Sequence, residues 1–150
     1  HWPYVALGAD IPTGLLGGTQ EGFDEGLDFC LGTPLTPAHG FPYSNRPGTA
    51  AALFPGQVPS GIKKERAALL RRMIEEKKNA FLVSSLELPH MQVVFEFRGK
   101  AESAPYQGIN EYYSDCRLLP DEDRATPPYG ELVPVKALTS ERGRLNVRRI

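Results

Sequence analysis

The sequence predicts an α+β protein made of an incomplete β/α piece, a long helix and a small antiparallel β-barrel. Three observations on the 150 residues lead to this prediction. Residues 1–60 alternate apolar stretches with Gly and Pro, residues 61–85 carry apolar side chains at helical spacing, and residues 86–150 contain short runs of alternating polarity. We therefore expect three segments with these boundaries.

The first segment opens with an apolar stretch from Tyr4 to Leu16, which predicts a strand followed by a glycine-rich turn. Thr19 can cap a helix that runs through Leu31, because its hydroxyl oxygen can accept from a backbone N–H of the first turn. The apolar face of this helix would be formed at four-residue spacing by Phe23, Leu27 and Leu31. Two prolines then indicate a connection to a short strand over residues 38–43. Such a piece contains too few strands to close a β/α barrel by itself.

The middle segment predicts the long helix. Ser60 favours a helix start, and apolar side chains recur every three or four residues to about Ser84. Residues 61–84 hold seven Lys or Arg against three Glu. Such a basic helix can follow phosphates, and the alternative is an ordinary solvated helix face.

Beyond Pro89 the apolar period changes to two, which is typical of strands. We expect strands near residues 93–98, 112–118, 131–138 and 144–150. Several short strands after a long helix favour a closed barrel, because closure removes exposed sheet edges.

Composition limits the possible functions. The chain has 17 basic and 18 acidic residues, so its net charge gives no argument for nucleic acid. Its two cysteines, Cys30 and Cys116, have no CxxC spacing, which disfavours a zinc or iron–sulfur site within this chain and favours two buried cytosolic thiols. No apolar run approaches the ~20 residues needed to cross a bilayer, and we expect a cytoplasmic protein without a membrane partner.

One stretch carries a specific family resemblance. Its ordered motifs are His39, Phe41-Pro42-Tyr43-Ser44, Arg46-Pro47-Gly48-Thr49, Gly56-Gln57-Val58-Pro59 and Lys63-Lys64-Glu65-Arg66. This set resembles the late part of the radical-SAM domain in the tRNA methylthiotransferases. It most resembles the MtaB type of the MiaB-like family, which modifies N6-threonylcarbamoyl-adenosine at position 37 of tRNA.

Two further stretches are similar to the same family. The first matches a family strand whose glycines approach S-adenosylmethionine, through Gly8, Asp10, Ile11, Gly14, Gly17, Thr19, Glu21 and Phe23. Gly18 stands where the family has a glutamate, and Pro12 and Leu16 also depart from the pattern. The second, residues 108–113 with residues 130–135, resembles the small RNA-binding barrel called TRAM.

The resemblance implies that the chain is the C-terminal part of a larger enzyme. Residues 1–60 would be a piece of the radical-SAM barrel with its connector, residues 61–85 a linker helix, and residues 86–150 a TRAM/OB-like barrel. The parent would add a methylthio group to carbon 2 of modified adenosine 37, using S-adenosylmethionine and two [4Fe–4S] clusters. None of these groups is expected to be ligated by this chain, no catalytic residue is assigned to it, and alone it is expected to be inactive.

The resemblance also implies candidate binding residues. The cofactor-binding candidates are Gly14, Gly17, Tyr43 and Ser44, with plain turn glycines and a core tyrosine as the alternatives. The candidates for binding a tRNA anticodon stem-loop are Arg46, Arg98, Tyr113, Lys136, Arg144 and Arg148. Arg46 is the only Lys or Arg among the first sixty residues, which favours anion recognition over a surface ion pair. His39 is expected to be a hydrogen-bonded core histidine rather than a base.

Two functions of other classes remain open. The chain can be a stand-alone, non-catalytic RNA-binding or interaction β-barrel module, a reading that the departures at Pro12, Leu16 and Gly18 favour. It can also be a self-associating fragment, since an opened β/α barrel exposes sheet edges and apolar surface.

Overall fold

The computed structural model describes residues 4–98, 105–120 and 130–150. The described elements confirm an α+β protein with a long helix and a closed five-stranded barrel. In chain order they are β1 (Leu7–Thr13), α1 (Gln20–Gly32), β2 (Leu35–Pro42), α2 (Ala50–Leu53), α3 (Ser60–Ser85), β3 (Met91–Arg98), β4 (Tyr106–Asn110), β5 (Asp115–Leu118), β6 (Leu132–Glu141) and β7 (Arg144–Arg149).

The chain divides into two compact units. The first, here called the β/α unit, is Ala6–Lys77. The second, the barrel unit, contains Tyr4 and Val5 together with the described residues from Lys78 onwards. Helix α3 thus contributes residues to both units, and the segment boundaries at 60 and 85 stay predictions.

In the β/α unit, β1 and β2 pair in parallel, and α1 connects them. The predicted cap of α1 is confirmed, because the Thr19 hydroxyl accepts a hydrogen bond from the Gly22 N–H over 3.1 Å. The predicted helix face is wrong at its end: Leu31 is 56% exposed, whereas Cys30 is buried in the core. The predicted connection is also shorter than expected, because β2 begins at Leu35.

Helix α3 begins at Ser60 and ends at Ser85, close to the predicted bounds. Its buried apolar side chains are Ala67, Leu70, Met73, Ile74 and Leu82. Lys63 and Arg66 are also buried, although their charges suggested a solvated or phosphate-facing surface. Their long aliphatic stems can cover apolar neighbours while their polar ends reach backbone or aromatic partners. The short helix α2 was not predicted in the connector.

The strands of the barrel are hydrogen-bonded in the order β3-β4-β5-β7-β6, and β6 pairs back with β3. The closed barrel is confirmed, but the expectation of a purely antiparallel one is wrong for a single pair, because β5 and β7 run parallel. Strand β6 pairs with β3, and β7 runs antiparallel to β6 and lies between β6 and β5. Strand β4 was not predicted as a separate element, and residues 112–114 belong to the turn before β5.

The barrel core is filled by inward residues of β3, β5, β6 and β7 and by Leu82 of α3, and the partly buried Tyr106 of β4 packs against it. Its buried members are Leu82, Met91, Val93, Phe95, Cys116, Leu118, Val133, Val135, Ala137, Leu145 and Val147. Among the described residues, no helix is both long enough and apolar enough to span a membrane.

Candidate cofactor turn and nucleic-acid interface

The turn after β1 holds two of the cofactor-binding candidates, Gly14 and Gly17. Both have positive φ angles, +72° and +69°, which favour glycine. A Cβ atom at Gly14 would lie 2.5 Å from Cγ of Lys63, whereas one at Gly17 would meet nothing within 4 Å. The Gly17 N–H donates to the Gly56 carbonyl oxygen over 3.0 Å. The backbone at Gly17 is therefore open to a neighbour, and that at Gly14 is covered.

Arg66 of α3 orders this turn, a role that was not predicted from the sequence. Its guanidinium donates to the Gly18 carbonyl oxygen over 3.1 Å and to Oε1 of Gln20 over 3.2 Å. It also lies 5.2 Å from the ring centroid of Phe23, within the range of a cation–π contact. The basic residues just before Arg66 predict a charged surface rather than a buried contact. The turn is thus held without a glutamate at position 18.

Tyr43 and Ser44 follow the end of β2. The Tyr43 N–H donates to the Thr13 carbonyl oxygen over 2.8 Å, so the residues after the two parallel strands lie at one edge of the sheet. The Lys63 ammonium lies 4.9 Å from the Tyr43 ring centroid. Because Lys63 also lies against Gly14, these contacts bring Gly14 and Tyr43 together. Tyr43 is half-buried and Ser44 is exposed.

A largely apolar cavity of about 440 Å³ lies between β1, α1 and α3 within the β/α unit. Gly14, Gly18, Thr19 and Arg66 are among the residues that line it. Gly17, Tyr43 and Ser44 do not line it, so the four cofactor candidates do not share one pocket.

His39 is exposed, and the expectation of a core histidine is wrong. Its register partner on β1 is Asp10, which is also exposed. The neighbouring pair Ala9 and Ala38 contacts the core instead, because successive strand residues face opposite sides. His39 and Asp10 therefore share the sheet face that points away from the core.

Arg46 is exposed in the connector after β2. Its carbonyl oxygen accepts from the N–H and the hydroxyl of Thr49, over 3.3 and 2.8 Å, which fixes the turn. Within the described ranges its guanidinium has no hydrogen bond or ion pair, so the charge is available to a ligand.

In the barrel, Lys136 and Arg148 are register partners on β6 and β7. The Lys136 ammonium donates to the carbonyl oxygens of Leu86 and Leu88, which follow the end of α3. Arg148 is exposed and has no hydrogen bond or ion pair in the part of the chain that the structure describes. Of this pair, Arg148 is the free cation.

Arg144 lies in an acidic setting at the start of β7. It shares a small cleft of about 90 Å³ with Glu96 and Asp115, and its register partner on β6 is Glu141. Asp115 in turn forms an ion pair with Lys78 over 3.3 Å. Arg144 therefore lies near carboxylates, which distinguishes its surroundings from those of Arg148.

Tyr113 lies in the turn between β4 and β5, is 76% exposed and has a φ of +56°. It precedes the start of β5, whereas Arg148 lies beyond the pair formed by the last residue of β5, Leu118, with Val147. Tyr113 therefore lies near the first residue of β5 and Arg148 near the last residue of β7, at opposite ends of this parallel pair. Arg98 belongs to β3, where its register partner is Tyr106, and its side chain lies outside the described residues. Of the barrel candidates whose side chains the structure describes, Lys136 and Arg148 are neighbours, whereas Tyr113 and Arg144 lie near the other end of the strands.

Both cysteines are buried free thiols. Burial raises the pKa of Cys116 to about 12, and the nearby Asp115 and Glu111 carboxylates add to the rise. Burial also raises the pKa of Cys30, partly offset by Lys77. Among the described residues, no group of three His, Cys, Asp or Glu side chains can hold a metal ion, so the residues present do not fit an iron–sulfur cluster.

No family model matches the chain. Individual relatives match most of it. A tRNA-2-methylthio-N(6)-dimethylallyladenosine synthase of Ehrlichia canis is 28% identical over 95% of this chain and 32% of its own length. The synthase of the same name from Moorella thermoacetica is 35% identical over 71% of this chain and 23% of its own length. The threonylcarbamoyladenosine tRNA methylthiotransferase MtaB of Rickettsia prowazekii is 33% identical over 78% of this chain and 32% of its own length.

The chain spans about a third or less of the length of these relatives. They include both the dimethylallyladenosine and the threonylcarbamoyladenosine types, so the assignment to the second type stays a prediction. The resemblance seen in the motifs is confirmed at the level of the family: the chain is homologous to the tRNA methylthiotransferases of the MiaB and MtaB types.

Proposed function

We propose that this chain is the tRNA-binding, C-terminal part of a radical-SAM methylthiotransferase that modifies carbon 2 of adenosine 37. The observation that carries the proposal is the similarity to tRNA methylthiotransferases over 71–95% of this chain. The closed barrel supports it, since small closed β-barrels of this size commonly bind oligonucleotides. We place the parent enzyme in the cytoplasm, where tRNA is modified.

We assign the turn after β1 and the residues after β2 to one wall of the cofactor pocket. In parallel sheets, ligands bind at the carboxyl ends of the strands, where Gly14 and Tyr43 lie. Gly17 offers open space for close backbone approach, and Ser44 offers an exposed hydroxyl. When bound in the parent, S-adenosylmethionine and the two clusters supply the radical chemistry and the sulfur. This chain's residues would orient the cofactor and exclude water on one side only, and alone the chain would be inactive.

The tRNA contacts are assigned to exposed arginines, because phosphate neutralisation by Lys and Arg supplies much of the affinity for nucleic acid. Arg46 and Arg148 meet this condition, being exposed and unpaired within the described ranges. The anticodon stem-loop is the expected partner because adenosine 37 lies within it.

Fluorescence anisotropy with a labelled anticodon stem-loop tests the proposal directly. We expect binding at low salt, with an affinity that falls steeply as the salt concentration rises. Absence of binding at low salt would remove the tRNA-binding role of this chain. A stem-loop RNA with the same stem and a loop of unrelated bases serves as the control for loop recognition.

A non-catalytic interaction module is the second candidate. The departures at Pro12, Leu16 and Gly18 favour it. The coding sequence upstream of His1 distinguishes the two candidates. A CxxxCxxC motif in frame would support the methylthiotransferase, whereas a start codon close to His1 would support the module.

A further inference from the structure

Arg117 and Arg148, on the outer surface of the barrel, are exposed and form no ion pair with a carboxylate in the part of the chain that the structure describes. Arg117 of β5 lies between Cys116 and Leu118, which are 2% and 7% exposed. Arg148 follows Val147, which is fully buried. Because successive strand residues face opposite sides, both arginines point away from the core. Arg148 was predicted from the sequence as an RNA-binding residue, and Arg117 was not.

Strand register places these arginines close together. Arg117 is the register partner of Asn146, which lies two residues before Arg148 on β7. Arg148 in turn pairs with Lys136 on β6. Lys136 lies between the buried Val135 and Ala137, so it shares the outer face. We call Arg117, Arg148 and Lys136, on the three adjacent strands β5, β7 and β6, the basic strip.

Polar but uncharged residues flank the basic strip. By register, Arg117 lies beside Gln107 on β4, and Asn146 lies beside Thr139 on β6. The Asn146 side-chain amide donates to the Thr139 hydroxyl over 2.9 Å. These register neighbours of the strip therefore bring no negative charge.

Three of the described carboxylates lie towards the other end of the strands. Glu96 and Asp115 line the same cleft as Arg144, at the start of β7, and Glu141 is the register partner of Arg144. Within β5, β6 and β7, the end that holds Arg144 thus carries charges of both signs, whereas the end that holds Arg117 and Arg148 carries only positive side chains.

Positive charge within the strip is only partly compensated. Arg148 lies opposite Lys136, and like charges in directly opposite positions destabilise a sheet. The Lys136 ammonium is held by two backbone carbonyl oxygens, whereas Arg117 and Arg148 have no hydrogen bond or ion pair among the described residues. An anion beside the two arginines would relieve this repulsion and satisfy their donors.

We propose that the basic strip binds the phosphate backbone of RNA, with Arg117 and Arg148 as the contacting residues. The proposal rests on the proposed tRNA-binding function and assigns it to one end of the outer face of β5, β7 and β6. RNA is favoured over another polyanion because the relatives are named for their action on tRNA. Arg144 was predicted from the sequence as an RNA-binding residue, but it makes no phosphate contact in this arrangement.

The test compares Arg117→Gln, Arg148→Gln and Arg144→Gln in the full 150-residue chain, by anisotropy with an anticodon stem-loop over a range of salt concentrations. Arg144→Gln is the matched control, since it removes the same charge from the same face. We expect each of the first two variants to bind about fivefold more weakly and to lower the salt-dependence slope by about 0.7–0.9. Arg144→Gln should bind like the unaltered chain. Thermal unfolding of all three variants checks that the barrel is intact.

The outcomes separate this inference from the proposed function. If the unaltered chain binds RNA and all three variants weaken it equally, binding follows total charge and the strip is overturned. Binding unchanged in Arg117→Gln and Arg148→Gln would also overturn it, while leaving the tRNA-binding role in place. If the unaltered chain does not bind at low salt, both the strip and the proposed function fail.

Discussion

The guanidinium of Arg66 donates a hydrogen bond to the carbonyl oxygen of Gly18 over 3.1 Å, and so connects helix α3 to the turn after β1. The same group reaches Oε1 of Gln20 and the face of the Phe23 ring. The family pattern that this stretch resembles has a glutamate in place of Gly18. Here an arginine from a helix more than forty residues later in the sequence holds the turn. The order of the turn therefore does not require the missing carboxylate.

Arg66→Ala is expected to lower the free energy of unfolding of the β/α unit by about 2–3 kcal/mol. The change removes two hydrogen bonds and the packing of a side chain that is 6% exposed. Hydrogen exchange of the β1 and α1 amides measures the effect within this unit. Arg71→Ala is the control, because Arg71 is exposed on the same helix and its loss should change stability by no more than about 0.5 kcal/mol. Equal effects of the two variants would show that Arg66 does not hold the turn.

Gly14→Ala and Gly17→Ala form a matched pair that separates backbone strain from crowding. Both residues have φ near +70°, so each alanine is expected to cost about 1 kcal/mol of strain. Only the Cβ at Gly14 would approach Lys63, to 2.5 Å from Cγ, and displace it from Tyr43. Gly14→Ala should therefore destabilise the β/α unit more than Gly17→Ala does.

Urea unfolding of the two variants, followed by the fluorescence of Tyr43 and its neighbours or by amide exchange in β1, measures the difference. The double variant Gly14→Ala with Lys63→Ala is the control, since it removes the crowded side chain and leaves the strain. An equal loss of stability in the two glycine variants would show that a Cβ at position 14 does not crowd Lys63.

The elements with a clear period were predictable from the sequence, and contacts distant along the chain were not. Helix α3 and the cap at Thr19 depend on local spacing and on one side chain, so they were found close to their observed positions. Strand β4 was missed because it contains only five residues and ends in a turn whose residues Tyr112 and Tyr113 also suit a strand. The parallel pairing of β5 with β7 follows from the pairing of β6 with β3, which no local pattern reports.

The candidate site residues divide in the same way, between those that local chemistry predicts and those that depend on contacts distant along the chain. Single residues such as Gly14 and Arg148 were identifiable from turn chemistry and charge. The role of Arg66 was not, because a basic run gives no sign of which cation is buried. Arg117 was not identified as a binding candidate either, since its position beside Arg148 follows from the register of β5 and β7.

Gly108→Ala is expected to prevent closure of the barrel. A Cβ at Gly108 would overlap the Val94 carbonyl oxygen and lie 2.8 Å from the Val94 carbonyl carbon, so β3 and β4 would have to separate. Because the obstacle is backbone rather than a flexible side chain, we expect a loss of several kcal/mol or an unfolded barrel unit. Circular dichroism and the dispersion of amide resonances in β3 and β4 report the outcome.

Gly26→Ala is the control for Gly108→Ala. Gly26 lies within α1, and a Cβ there would meet nothing within 4 Å. Alanine has the higher helix propensity, so this variant should gain about 0.5–1 kcal/mol. A folded barrel in Gly108→Ala with normal amide dispersion would show that β3 and β4 do not approach each other as described.

Cys116 is expected to make the barrel less stable as the pH rises above about 9. Burial, with help from Asp115 and Glu111, raises the pKa of its thiol from 9.0 to about 12 in the folded chain. Between these two values the unfolded chain has lost the thiol proton and the folded chain still holds it, so the unfolded state binds fewer protons and stability falls with pH. Below pH 9 the contribution is fully present, and through the interval it declines by up to about 1.4 kcal/mol per pH unit. The Cys116→Ala variant should lack this part of the decline in urea unfolding measured at several pH values, while the tyrosine and lysine contributions remain.

Thiol labelling at pH 8 gives an independent check, because the protonated, buried thiol should react only after denaturant is added. Rapid labelling of Cys116 in the folded chain, or the same pH profile with and without the thiol, would contradict its place in the barrel core.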